Sequence, residues 1–153
     1  MKKPDFPTPE DEFFFQIAYQ EACTAFEEGE IPVGAVIVSG GILLAKGRNA
    51  VERLHDPTAH AELLALTSAT YGLQAKYLRK CTLYVTLEPC PMCAAALRWA
   101  QMGRIVYGAG DDKNGYRAFS EKLVHPKTII HAGYRSAECA ELMKSFFRGK
   151  RGR

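Results

Sequence analysis

Apolar positions recur along this chain first with a helical period and then with a strand period. Between Glu10 and Glu28, Phe14, Ile17, Ala18, Ala22, Ala25 and Phe26 fall at helical spacing, and Gly29 suits the stop. In front of them, Thr8-Pro9-Glu10-Asp11 supplies a cap, a first-turn proline and acids at the helix end that favours negative charge. Phe13-Phe14-Phe15 spans a wider arc than one buried stripe, so core packing takes part of it and a partner subunit is the other available cover. Val33 to Val38 is rich in β-branched residues and Ile42 to Ala45 is apolar; Ser39-Gly40-Gly41 between them predicts a hairpin. Thr58 to Thr70 predicts a helix with His60 and Glu62 in its first turn, and Cys81 to Leu87 a buried strand. Pro91 to Gln101 predicts a helix opening on two cysteines, and Arg104 to Tyr107 a short strand ending at Gly108. Lys127 to His131 reads as another strand and Ala137 to Phe147 as a last amphipathic helix. Helices alternating with strands predict an α/β layered domain, a sheet flanked by helices.

Composition bounds this picture without changing it. The 153 residues suit one domain, 1–153, with a single core, and they hold no internal repeat or linker. No apolar run approaches the roughly 20 residues needed to span a bilayer. Prolines and acids follow Lys2-Lys3 where a secretory leader would be apolar, so the expected compartment is the cytoplasm. Of five cysteines, Cys23, Cys81 and Cys139 are scattered and read as small, partly buried hydrophobes, not a disulfide framework. The net charge of +3 is mild, but its distribution is not. Lys144 to Arg153 holds five cations, two aromatics and no acid, a basic C-terminal helix and tail that suits phosphates or, more blandly, a solvated terminus.

The chemistry is concentrated in two short segments, His60-Ala61-Glu62 and Pro89-Cys90-Pro91-Met92-Cys93. One imidazole and two thiolates can hold zinc by three corners of a tetrahedron and leave the fourth open, which separates catalytic from structural zinc sites. Cys90 and Cys93 lie three apart at a helix start, which puts both sulfurs on one face. The free N–H groups there favour thiolates, and Pro91 lacks only an N–H that would be unpaired anyway. Glu62 is near enough to carry protons without binding metal. C-x-x-C alone also occurs in redox sites and zinc ribbons, but a ribbon needs a fourth ligand, usually from a second C-x-x-C, and there is none; Cys81, His125 and His131 stand in no paired motif.

H-x-E followed by P-C-x-x-C is the signature of the zinc nucleobase deaminases. On these segments, and on Gly29 to Val36, Gly47-Arg48-Asn49, His55 to Thr58, Leu83 to Glu88, Tyr107 to Asp111, Leu123 to Pro126 and Phe146 to Arg151, the chain resembles the cytidine deaminase-like superfamily. Within it, the later segments resemble the bacterial tRNA-specific adenosine deaminases. The resemblance implies a three-layer α/β/α sandwich around a mixed sheet of about five strands, one Zn²⁺ per subunit on His60, Cys90 and Cys93, and a homodimer. It implies hydrolytic deamination of wobble adenosine to inosine in a tRNA anticodon loop, activated water attacking adenine C6 with Glu62 as proton shuttle. It assigns Asn49 to the target base, Pro32 and Val33 to the pocket wall, and Asp56 to the loop gripping the flipped nucleotide. Leu87 and Glu88 would offer a backbone group to the base edge, Asp111 would stand near the flanking nucleotides, and His125 would meet the RNA. From the residues alone Asn49 is a turn residue, Asp56 a cap, Asp111 part of a solvated turn and His125 a loop histidine. Two stretches depart from the resemblance: Tyr116-Arg117-Ala118-Phe119 stands where a run of small residues is expected, and Gly133-Tyr134-Arg135 is more polar than the expected aliphatic turn. The same zinc residues fit a deaminase of free guanine or cytosine, and, more remotely, a non-enzymatic RNA-binding module with a closed four-ligand site.

Overall fold

A computed structural model describes residues 4–151, with the side chain of Arg151 left out. The Lys2-Lys3 start and the Gly152-Arg153 end of the basic tail lie outside the described residues. Helix α1 (Pro9–Glu27) begins as its sequence demands: Thr8 and Asp11 form a reciprocal capping box, and Pro9 occupies the first turn. It ends before Gly29, whose φ of +80° is the left-handed conformation a helix stop calls for. Strands β1 (Gly34–Ser39) and β2 (Ile42–Arg48) form the expected hairpin. Gly40 and Gly41 both have positive φ, as a two-residue type I′ turn requires.

With β3 (Thr82–Leu87), β4 (Arg104–Ala109) and β5 (Ile129–His131) the hairpin makes one five-stranded sheet in the order β2-β1-β3-β4-β5. The pairs β1–β2 and β1–β3 are antiparallel, β3–β4 and β4–β5 parallel, so the sheet is mixed. Side chains alternate across it. Ala35, Ile37, Leu83, Val85, Ile105 and Tyr107 pack under helices α3 (Ala61–Leu73) and α4 (Pro91–Trp99). Val36, Val38, Tyr84 and Val106 pack under α1 and the last helix, α5 (Ser136–Arg151). Both faces are covered, which is why the inner strands read as continuous apolar runs. This is the α/β/α sandwich expected from the resemblance.

Most elements differ from expectation by a residue or more at an end, and three differences have a clear physical reason. β2 continues past Ala45 to Arg48, because Lys46 and Arg48 lie on an edge strand and spend their charges on Glu21 and Glu28 of the α1 side. α3 starts at Ala61, not Thr58, because Asp56 Oδ1 accepts from both Thr58 N–H and Thr58 Oγ1 and holds that segment in a turn. A one-turn helix, α2 (Val51–Leu54), has too few residues to show a period. Of Phe13-Phe14-Phe15, Phe14 and Phe15 are buried and Phe13 is exposed. Cys81 and Cys139 are buried, Cys23 is half-buried, and all the cysteines are free. No helix among the described residues is long and apolar enough to cross a membrane.

Candidate active site

The sheet brings two helix N-termini together. His60 is the N-cap of α3 and Cys90 the N-cap of α4, each with extended backbone. Cys93 lies one turn into α4 and is fully buried. His60 Nδ1 stands 3.6 Å from Cys90 Sγ and 3.5 Å from Cys93 Sγ. A tetrahedral zinc with bonds of about 2.3 Å to sulfur and about 2.05 Å to nitrogen spaces those atoms by about 3.6 Å. The donor set therefore fits zinc in chemistry and in spacing, and the ligand atoms of these three residues all lie within 4.8 Å of one another.

Electrostatics agree. Bonding from Cys93 and then from His60 holds the Cys90 thiol down to about 4, against the cost of burial. The Cys90 neighbour and burial push the Cys93 thiol up, so a cation bound there would have to displace its proton. The bond to Cys90 raises the His60 imidazole above its ordinary value. Burial pushes the Glu62 carboxyl up to about 7. Glu62 is 4% exposed, and its carboxyl meets its own backbone N–H and the Cys93 sulfur.

His60, Glu62 and Cys90 line a cleft of about 710 Å³, as do Val33, Asn49, Leu87, Glu88 and Asp111; Cys93 is buried and does not line it. Asn49 Oδ1 accepts from the Ala61 N–H at 2.8 Å and so fixes where α3 begins. That N–H can only donate, so Asn49 Nδ2 is the amide face left for a ligand. Pro32 is buried and does not line the cleft. Asp56 serves its turn at Thr58 and does not line it either. Asp111 lines the cleft and also accepts from the Lys113 and Asn114 N–H groups, so it is both a wall residue and a turn residue. His125 lines a separate cleft with Arg98 and Tyr116, and its Nδ1 accepts from the Lys127 N–H.

The residue family model for the cytidine and deoxycytidylate deaminase zinc-binding region matches residues 8–109, which include all three donors and Glu62. A tRNA-specific adenosine deaminase of Aquifex aeolicus is 43% identical over 90% of this chain and 93% of its own length. The chain belongs to this deaminase family. A solved tRNA:A34 deaminase, studied for A-to-I editing at the wobble position of transfer RNA, superposes with a TM-score of 0.79 at 40% identity, covering 86% of this chain and 99% of that one. A guanine deaminase of Bacillus subtilis superposes with a TM-score of 0.62 at 44% identity over 65% of this chain and 64% of its own.

Sequence reasoning missed two parts of this deaminase's cleft. Glu30, 2% exposed, accepts from the Glu52 and Arg53 N–H groups at 3.0 and 2.9 Å and caps α2 from a distance. Ala50, at the cap position of α2, has no side-chain oxygen for the task, and that was the available signal. The cleft's rim is α5, which contributes Met143, Lys144, Phe146, Phe147 and Lys150. The basic helix was expected on the RNA side; its apolar side chains line the cleft as well.

Proposed function

We propose that this chain hydrolyses the exocyclic amine of adenosine at the wobble position of a tRNA anticodon loop, giving inosine and ammonia. The observation that carries the reading is Glu62, a buried carboxyl near the His60, Cys90 and Cys93 donors, lining a cleft that α5 rims with Lys144, Phe147 and Lys150. The relatives support the choice of base and of RNA.

Bound zinc supplies Lewis-acid chemistry that lowers the pKa of a coordinated water toward about 7. The rest falls to the chain's own residues. Glu62 takes a proton from the attacking water and gives it to the ring nitrogen beside C6. It then takes the second proton from the oxygen now on C6 and gives it to the amine; the C6–N bond breaks and ammonia leaves. A carboxyl held near neutrality by burial suits both transfers. Asn49 Nδ2 donates to the base while its Oδ1 holds the helix that carries Glu62. The base must leave the loop to enter the cleft, which costs a few kcal/mol and least where the strand is already unpaired. Exposed Lys144, Phe147 and Lys150 at the rim suit neighbouring phosphates and bases.

The reading includes a homodimer working in the cytoplasm. Its support in the fold is the outer face of α3 and α4, where Tyr71 is 79% and Trp99 82% exposed beside Tyr77 and Ala96. The likeness to a guanine deaminase favours a second reading, deamination of the free base. Incubation with tRNA and with guanine separates the two. Inosine at the wobble position, lost in Glu62→Gln while zinc stays bound, is the expected result. Ammonia from guanine with no inosine in tRNA would overturn the first reading.

A further inference from the structure

Glu88 stands where β3 runs into Cys90, and it is 3% exposed. Its carboxylate is fully engaged. Oε1 accepts from the Asp111 N–H at 3.1 Å and from Arg117 Nη2 at 3.2 Å, and Oε2 accepts from the Arg117 N–H at 3.0 Å. The chain closes round it: a Cβ on Gly115 would stand 2.3 Å from Glu88 Cδ. Among the described residues, Arg117 is the cation paired with this carboxylate. Its guanidinium also lies 5.6 Å from the centroid of the Tyr107 ring. Arg117 belongs to the stretch Tyr116–Phe119, where small residues were expected.

We propose that Arg117 is a positioning residue: it holds the Glu88 carboxylate in place and, through it, the Asp111–Asn114 wall of the substrate cleft. The backbone divides the labour. Glu88 N–H donates to the Ala109 carbonyl at 2.8 Å and Tyr116 N–H to the Pro89 carbonyl at 2.9 Å. Those bonds secure the segment that carries Cys90, and neither involves the guanidinium. The guanidinium acts on Oε1, the oxygen shared with Asp111. Without it, a buried carboxylate loses its neutralising charge and gains by turning toward water, which frees the Asp111 N–H. Asp111 and Asn114 line the cleft, whereas Glu62 and the metal donors stand on α3, on α4 and at their caps. Arg117 therefore governs substrate binding more than the chemical step.

This inference rests on the RNA reading above. The test is steady-state inosine formation on an anticodon stem-loop RNA by the wild type, Arg117→Ala, Arg117→Lys, Glu88→Gln and the Arg117→Ala/Glu88→Gln pair, with zinc content and melting temperature measured for each. Arg117→Ala is expected to raise KM about tenfold or more while kcat stays within about threefold and zinc is retained. Arg117→Lys should recover part of the KM, and the double variant should lose less than the two single losses combined. An unchanged KM in Arg117→Ala, or losses in the double variant that simply add, would overturn the inference while leaving the function intact. A wild type that makes no inosine would overturn both.

Discussion

Replacing Gly47 by alanine asks how closely the sheet must hold α3 for the metal centre to work. A Cβ at Gly47 would stand 2.3 Å from the Ala61 carbonyl oxygen and 2.9 Å from the Ala65 nitrogen. Carbon and oxygen at closest comfortable contact are about 3.3 Å apart, so the first turn of α3 must lift by about 1 Å. Both obstacles are backbone, and no side chain can swing aside to absorb the strain. That turn carries Glu62, and His60 caps it. Overpacking of this kind costs about 1–3 kcal/mol, which leaves a fold of ordinary stability largely intact. A catalytic constellation tolerates only about 0.5 Å, and a misplacement of about 1 Å costs roughly 10²-fold in rate. Gly47→Ala should therefore melt a few degrees lower, bind zinc more weakly, and turn over anticodon stem-loop RNA about 10²-fold more slowly per folded molecule. Gly34→Ala is the control. Its Cβ would stand 2.0 Å from the Ala18 carbonyl oxygen, so it lifts α1, on the other face of the sheet and free of metal donors. It should lose at least as much stability and keep its turnover per bound zinc within a few-fold. Wild-type turnover in a zinc-loaded Gly47→Ala, or an equal loss in Gly34→Ala, would refute the reasoning.

Three further outcomes follow from single groups. Cys90→Ala leaves two of the three donors, so zinc by mass spectrometry should fall from about one per chain to near zero; a full complement would refute the ligand assignment. Burial alone would raise Asp11, but bonds from Tyr84, the Thr8 N–H and Arg104 outweigh it and hold the carboxyl below its ordinary value. A depressed folded pKa stabilises above the unfolded pKa, and the gain is lost as pH falls through the folded value. Asp11→Asn should therefore flatten the acid limb of melting temperature against pH and cost on the order of 2 kcal/mol near neutrality; an unchanged acid limb would refute it. Deleting Lys150 to Arg153 removes three cations, and the slope of log affinity against log salt for stem-loop RNA should shrink by up to about 2; an unaltered slope would return the tail to the role of a solvated terminus.

What could be read from the sequence was what depends on neighbours in the chain. A metal needs particular residue types, and here they come in two short motifs at two helix caps, so His60, Cys90, Cys93 and Glu62 were visible together. Thr8 and Asp11 could be paired because a capping box is local, and Gly40-Gly41 because a type I′ turn needs two positive φ values. What could not be read depends on partners far apart in the chain. Asn49 sets the start of α3 from 12 residues upstream, Glu30 caps α2 from 22 and 23 residues away, and Glu88 meets Arg117 across 29. No period or propensity encodes such pairs. β2 was shortened for a related reason: its outer half alternates with charged side chains whose partners lie on α1 and its end.

The three buried glutamates carry the assignment of the proton shuttle beyond motif. Burying a carboxylate is costly, and each such group must be tied to something. Glu30 spends both oxygens on the N–H groups of α2. Glu88 spends both on the 111–117 segment and on Arg117. Each is engaged with the segment it holds. Glu62 alone of the three ties down no distant loop, and it faces the metal donors and the cleft. Burial brings its carboxyl to about 7, where gaining and losing a proton cost least. The fold thus uses two carboxyls to shape the cleft and sets the third, Glu62, against the metal donors, the place hydrolytic deamination needs a proton carrier.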